Sequence, residues 1–99
     1  MGGSDTAVIR LVLDVLKPLD PSIVDMASEI AEVEGVDLVS VTSVEIDRNT
    51  ESVKVSIEGN DVDLERVRRV IERMGGVIHS VDEVTSVKIG GKQGKAERR

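Results

Sequence analysis

Apolar and polar residues alternate along four segments of the chain, and alternation with a period of two predicts half-buried β-strands. In the first segment the odd positions from Ala7 to Val15 are apolar, whereas the even positions include Arg10 and Asp14. The other three segments differ in length but share this pattern. We therefore predict four strands. The first begins near Ala7, and the others cover residues 36–47, 53–58 and 77–89.

Between the first two strands, apolar residues recur every three or four positions, a spacing that predicts an amphipathic helix. We expect Asp20 to cap this helix, Pro21 to occupy its first position and Leu19 to pack against Val24. Gly35 is a typical C-terminal stop. The apolar stripe that should face the sheet consists of Ile23, Met26, Ala27, Ile30 and Val33.

A second amphipathic helix follows the third strand, and we expect it to be capped by Asn60 or Asp61 and ended by the glycines at 75–76. The elements then occur in the order βαββαβ. That order is typical of the ferredoxin-like α+β sandwich, with a four-stranded antiparallel sheet of order 4-1-3-2 and two helices on one face. We predict this fold for residues 7–89. Its core should contain Leu11, Leu13, Ile30, Val55, Ile57, Val67 and Ile71.

The sheet face without helices is expected to mix charged residues with valines. Its polar positions would be Arg10, Asp14, Glu45, Asp47, Lys54 and Glu58, and its apolar positions Val8, Val12, Val39 and Val41. An exposed face that is half valine is typical of an interaction surface. We therefore expect this face to bind a ligand or another subunit.

The composition indicates one domain that gains stability from association. The chain has 99 residues, 39% of them apolar, but no Phe, Tyr or Trp, so its core alone provides little stability. No apolar run approaches the roughly 18 residues of a membrane span, and there is no cysteine. We expect a cytoplasmic protein without a membrane contact. Residues 1–6 and the basic tail 90–99 are predicted to be disordered extensions.

A repeated hexapeptide indicates how copies of the chain could meet. VTSVEI at 41–46 and VTSVKI at 84–89 differ only by Glu45 and Lys88. Both segments would lie on the edge strands of the sheet, and we expect the two edges to run in the same direction, so that direct pairing between copies would be parallel. Opposite charges favour a head-to-tail contact, and such contacts can close into a ring. We predict a cyclic homo-oligomer larger than a dimer.

The single histidine lies in IHSVDEV, close in sequence to two carboxylates. On a strand, His79 and Glu83 would share a face about 13 Å apart while Asp82 faces away. A bulge near Asp82 would keep His79 and Glu83 out of the core. Because conflicts between local rules are mild indicators of function, we assign a candidate ligand site to Arg10, Asp14, His79, Asp82 and Glu83.

The turn DRNTE places oxygen ligands at alternate positions, as the start of a calcium loop does, but it lacks the glycine and the distant glutamate of an EF-hand. Turn chemistry alone also explains Asp and Asn here. We predict weak binding of calcium or magnesium and assign no other cofactor. The candidate ligands are Glu45, Asp47, Asn49 and Glu51.

Arg66, Arg69 and Arg73 would form a basic stripe on the second helix. Glu65 and Glu72 lie within one turn of Arg68 and Arg69, so a salt-bridged solvent face is the alternative. Nucleic-acid binding is not expected, because the sheet has no aromatic residues for base stacking. Residues 6–89 also carry 9 basic and 17 acidic side chains, a balance that repels phosphate. No catalytic sequence motif is recognised.

Four segments resemble the archaeal domain of unknown function 211 family. They are IRLVLDVLKP at the start, VEGV before the second strand, VEIDRNTESVKVSIEGND through the hairpin and GGVIHSVDEV near the end. The resemblance covers about residues 7–87. It implies a ferredoxin-like fold, an archaeal source and assembly into higher oligomers, and it implies no established activity.

We expect a non-enzymatic, self-associating module that binds or senses a small molecule or a divalent metal between subunits, as ferredoxin-like regulatory domains commonly do. Two alternatives remain open. One is an enzyme whose site forms between protomers, with Asp14, His79 or Asp82 as acid or base. The other is a nucleic-acid-linked regulator that acts through the arginine-rich second helix.

Overall fold

A computed structural model describes residues 5–89 of the chain. The elements are β1 (Thr6–Pro18), α1 (Ile23–Ala31), β2 (Val36–Ile46), β3 (Thr50–Gly59), α2 (Leu64–Arg73) and β4 (Val77–Lys88). The strands form one sheet of order β2-β3-β1-β4, and every neighbouring pair is antiparallel. The predicted ferredoxin-like α+β topology is therefore confirmed. The predicted tail 90–99 and residues 1–4 of the predicted N-terminal extension lie outside the described residues.

Helix α1 begins later than the sequence predicts. Ser22 is its N-cap, and the Ser22 hydroxyl accepts a hydrogen bond from the backbone N–H of Asp25 at 3.2 Å. The prediction that Asp20 caps the helix is therefore wrong, because Ser22 satisfies the free N–H of the first turn. The predicted contact of Leu19 with Val24 depended on Asp20 being the N-cap, so it is no longer expected. These two side chains are 43% and 70% exposed.

Helix α2 is capped by Asp63, whose carboxylate accepts the backbone N–H of Glu65 at 2.9 Å. The two predicted caps, Asn60 and Asp61, lie instead against the turn that follows α1. The N–H of Asn60 donates to the carbonyl oxygen of Gly35 at 3.1 Å. Gly35 has a φ of +92°, and a Cβ at this position would collide with the carbonyl oxygen of Asp61. The two loops can approach this closely only because residue 35 is glycine.

The core lies between the two helices and one face of the sheet. All seven residues predicted for the core are at most 2% exposed. The register explains their common direction, because Leu11 is opposite Ile57 and Leu13 is opposite Val55, and directly opposed residues share a face. Full burial of each such side chain contributes about 1.5–3 kcal/mol.

The phase predicted for β2 is wrong over most of the strand. Val39 and Val41 are opposite Ile57 and Val55 and pack against the core cluster, as does Val8. All three valines are predicted from the sequence to lie on the face without helices; Val8 departs from that phase because the pairing of β1 with β4 shifts between Val8 and Arg10. That face is therefore more polar than the sequence predicts.

Bulges explain why simple alternation fails in β2. The pairing with β3 shifts once near the start of β2 and again between Ser43 and Glu45, and each extra residue reverses the phase of the residues beyond it. Beyond the second shift Glu45 lies on the open side, as predicted, and Ile46 is opposite Glu51 on the helix side; Val44 and Ile46 are nevertheless 64% and 65% exposed at the end of this edge strand. The regular part of the strand runs from Leu38 to Ser43.

Strand β4 contains the predicted bulge near Asp82. Glu83 and Val81 pair with consecutive residues of β1, so that Asp82 is an extra residue, and a second shift makes His79 an extra residue as well. The bulges keep Glu83 on the face without helices while Val81 lies on the helix side. Residues 79, 82 and 83 are all exposed, as the sequence analysis required.

Candidate functional site

The sheet face without helices, called the open face below, is built from rows of directly opposed residues, one from each strand. In the order β2, β3, β1, β4, the rows are Leu38, Glu58, Arg10, Thr85; Ser40, Ser56, Val12, Glu83; Thr42, Lys54, Asp14, Ser80; and Glu45, Ser52, Leu16, Val77. The first three rows are mostly polar. The last row carries two exposed apolar neighbours, Leu16 and Val77, which are 44% and 58% exposed.

Arg10 is the centre of a charge network on the open face. Its Nη1 donates to Oε2 of Glu58 at 2.7 Å, and its Nε donates to Oε2 of Glu83 at 3.1 Å. The three side chains are between 34% and 52% exposed, so each ion pair contributes at most about 1 kcal/mol. The sequence analysis selected Arg10 and Glu83 as candidate ligand residues. It gave Glu58 no role, since only the register reveals that Glu58 is opposite Arg10.

The other candidate ligand residues form a second polar group beside this network. Nδ1 of His79 lies 3.7 Å from Oδ2 of Asp14, and the hydroxyl of Ser80 donates to Oδ1 of Asp82 at 2.7 Å. The Ser80 hydroxyl is therefore directed to a carboxylate and not to the imidazole, which is unlike an activated serine nucleophile. The five predicted residues share one region of the open face and the β4 edge, as two neighbouring groups.

The four candidate metal ligands are divided between the two faces of the sheet. Glu45 lies on the open face, whereas Glu51 is opposite Lys17 on the helix side and only 8% exposed. Asp47 accepts the backbone N–H of Arg48 at 2.9 Å, as turn chemistry predicts. Within residues 5–89, no three His, Cys, Asp or Glu side chains are placed to hold a metal ion.

A buried ion pair at the end of β1 is not among the features predicted from the sequence. Lys17 is fully buried, and its Nζ donates to the carbonyl oxygens of Pro18 and Leu19 at 2.7 and 3.3 Å and to Oε1 of Glu51 at 3.3 Å. A hydrogen bond from Ser43, assisted by the Lys17 ammonium, lowers the pKa of Glu51. All three ammonium protons have acceptors. The available signal was the alternation of β1, which continues to position 17.

Three arginines of α2, namely Arg66, Arg68 and Arg73, contact acidic side chains. Arg66 contacts Glu34 at 3.2 Å and Asp63 at 3.5 Å, and Arg73 lies 3.7 Å from Glu29. Most of these acids come from α1 and the turn after it. The geometry favours a salt-bridged solvent surface over a phosphate-binding stripe.

Both edge strands expose apolar side chains. Those on β2 are between 56% and 65% exposed and those on β4 between 40% and 58%. An edge strand also presents unpaired backbone groups, so exposed apolar residues beside them favour contact with another chain. The residues are Leu38, Val44 and Ile46 on β2, and Val77, Val81 and Val84 on β4.

The two edges run in opposite directions, because all neighbouring strands are antiparallel. The expectation that they run in the same direction is wrong. The predicted approach of Glu45 to Lys88 also lacks support, since Glu45 lies in the row of Leu16 whereas Lys88 is opposite Thr6. Ten residues of β1 separate these rows, which corresponds to about 33 Å. A contact that continues the sheet cannot join these two charges.

No helix within residues 5–89 is long and apolar enough to cross a membrane. The fold and the polar open face define a small ferredoxin-like α+β domain. The sequence model of the DUF211 family, described as "Uncharacterized ArCR", matches residues 9–93. The chain is 49% identical over 79 residues to Uncharacterized protein MJ0319 of Methanocaldococcus jannaschii, which covers 80% of this chain and 81% of that protein. The chain belongs to the DUF211 family, as the resemblance predicted.

Proposed function

We propose that this protein is a self-associating, non-enzymatic module that binds a small molecule or a divalent metal ion between its subunits. The observation that carries the proposal is the exposure of apolar side chains along both edges of the sheet, between 40% and 65% for six residues. Full burial of a Val, Leu or Ile side chain is worth about 1.5–3 kcal/mol. Association through the edges would bury these residues and offset the small aromatic-free core.

The proposed ligand surface adjoins one of these edges. Glu83 and His79 belong to edge strand β4, and both contact charged residues of β1, namely Arg10 and Asp14. A second subunit at this edge would remove water from around the charges and strengthen their interactions with a bound ligand. Ferredoxin-like regulatory domains commonly bind effectors between subunits, and this part of the proposal rests on that analogy of fold.

The association is tested by placing a lysine on an edge strand and comparing its effect on the dissociation constant with that of a lysine on the exposed surface of α1. Val84 on β4 is 55% exposed, and Val24 on α1 is 70% exposed. In sedimentation equilibrium, Val84→Lys should raise the dissociation constant at least about fivefold, which corresponds to about 1 kcal/mol of lost apolar burial. Val24→Lys should leave it within about twofold of the parent value. Equal effects of the two variants would contradict association through the edge.

The ligand part is tested by a thermal-shift screen with calcium, magnesium, nucleotides and amino acids. A ligand at 100 times its dissociation constant should add about 2.7 kcal/mol of stability. The shift should be lost in Glu83→Gln or Asp14→Asn and retained in Glu72→Gln, a change at an exposed position of α2. A screen without any shift at millimolar concentrations would contradict ligand binding and leave the association test unaffected.

A further inference from the structure

We infer that the β2 edge of one copy pairs with the β4 edge of the next copy, in register, so that the rows of the sheet continue from copy to copy. The inference rests on the proposed self-association and adds which surfaces meet and how they are aligned. Because β2 and β4 run in opposite directions, a neighbour with the same orientation presents β4 antiparallel to β2. Direct backbone pairing of this kind needs no reversal of the direction of the neighbour's strands.

Continuing the rows places similar residues opposite each other. On the helix side, Val84 would meet Val39 of the next copy and Val81 would meet Val41. On the open face, Glu83 would meet Ser40, Ser80 would meet Thr42, and Thr85 would meet Leu38. Val84 and Val81 are 55% and 40% exposed in the single chain. They would gain apolar cross-strand partners, which is the interaction that stabilises neighbouring strands.

Other alignments of the same two edges match less well. A slip of one residue turns the valines of β4 toward the polar face of β2. A slip of two residues in one direction leaves Val81 opposite Ser43. The same slip in the other direction sets Glu83 against Leu38 and moves Val84 beyond the first bulge of β2, where the ladder is disrupted. Only the in-register alignment opposes both exposed valines to valines within the regular part of β2.

A two-fold contact between identical edges is less favourable than this head-to-tail contact. Pairing β4 with its own copy around Val81 and Val84 would bring Asp82 and Glu83 of the two chains together, and opposed like charges destabilise a sheet. Pairing β2 with its own copy would leave Val81 and Val84 in water. A single head-to-tail contact covers both edges, and its repetition produces a ring or a filament.

Disulfide cross-linking tests the register directly, because the natural chain contains no cysteine. We would combine Thr42→Cys with Ser80→Cys, which lie on opposite edges of the same row. Within one chain three strand spacings, about 14 Å, separate them, and a disulfide spans at most about 7 Å between Cα atoms. Oxidation should therefore produce a ladder of dimers, trimers and larger species on a non-reducing gel.

Three variants serve as matched controls. Thr42→Cys with Thr85→Cys keeps both cysteines on the open face but places them two rows, or four residues along the strand, apart, about 13 Å, and should give no ladder. Ser40→Cys with Ser80→Cys should also remain unlinked, and it reports the alignment shifted by two residues, which is one row of the open face. Thr42→Cys alone should give only monomer, since a dimer would require β2 to face its own copy.

The outcomes separate this inference from the proposed function. If native mass spectrometry shows that the parent associates but Thr42→Cys with Ser80→Cys forms no ladder, the register inference is overturned and self-association stands. A ladder from either displaced cysteine pair, or a dimer from Thr42→Cys alone, also overturns it. A parent protein that stays monomeric overturns the proposed association and the inference together.

Discussion

Loss of one partner from the buried ion pair should destabilise the protein strongly. Lys17 is fully buried and the side chain of Glu51 is 9% exposed. Replacing Glu51 by leucine would remove the only carboxylate that contacts the Lys17 ammonium among the described residues. The carbonyl oxygens of Pro18 and Leu19 would remain as acceptors, but they carry no full negative charge. The ammonium would be left buried without a counter-ion.

The expected magnitude follows from the cost of an uncompensated buried charge. Removing one partner of a buried ion pair costs about 3–5 kcal/mol, a large part of the roughly 5–15 kcal/mol that stabilises a typical domain. Replacing both partners, with Lys17→Met and Glu51→Leu, leaves no buried charge. We expect the double variant to recover at least about 2 kcal/mol relative to Glu51→Leu alone.

Urea unfolding at pH 7 measures these differences, at one protein concentration because association changes the apparent stability. Lys54→Met, a change at an exposed lysine of β3, serves as the control and should shift stability by less than about 0.5 kcal/mol. The reasoning would be refuted if Glu51→Leu lost less than about 1 kcal/mol. It would also be refuted if the losses of unfolding free energy in Glu51→Leu and in Lys17→Met, each measured alone, simply added in the double variant.

Three further predictions follow from the core, from the titration of Glu51 and from the loop contact. Leu13→Ala and Ile71→Ala should each cost about 2–5 kcal/mol in urea unfolding, and losses below about 0.5 kcal/mol in both would contradict the core assignment. The Ser43 hydrogen bond and Lys17 lower the pKa of Glu51 in the folded protein. The ionised Glu51 therefore stabilises the fold fully above the pKa that it has in the unfolded chain. This contribution is lost as the pH falls through the lower pKa of Glu51 in the folded protein. The urea midpoint should therefore decline less steeply below about pH 4.3 in Glu51→Gln than in the parent, and identical slopes would exclude this role. Gly35→Ala should lower the melting temperature by several degrees, equivalent to about 1 kcal/mol or more, whereas an unchanged value would contradict the close loop contact.

Sequence patterns predicted the architecture well where one face of an element is buried along its whole length. The alternation in β3, the alternation in β1 from Arg10 onward and the helical stripes gave the correct inward residues, including Leu13 and Ile71. The order βαββαβ then restricted the topology. Prediction failed at the bulges of β2, because an extra residue reverses the phase without a signal in composition. The helix caps failed because several Ser, Asp and Asn residues compete near each helix start.

The candidate site was predicted only in part. Strand spacing and the conflict around Asp82 led to the correct bulge and to the exposed Glu83. The pairing of Arg10 with Glu58 depends on register between strands that are distant in sequence, so no local pattern contains it. Lys17 was missed because a lysine beside a proline-containing turn usually lies in solvent, and only the surrounding carbonyl groups and Glu51 make its burial possible.

Native mass spectrometry of the unmodified protein tests the central claim most directly. The exposed apolar residues on both edges predict association, and the head-to-tail contact predicts assemblies that are not limited to pairs. At micromolar concentration and moderate salt, the spectrum should contain species larger than a dimer. A spectrum that contains only monomer, or monomer and dimer, would contradict the proposed self-association through the two edges.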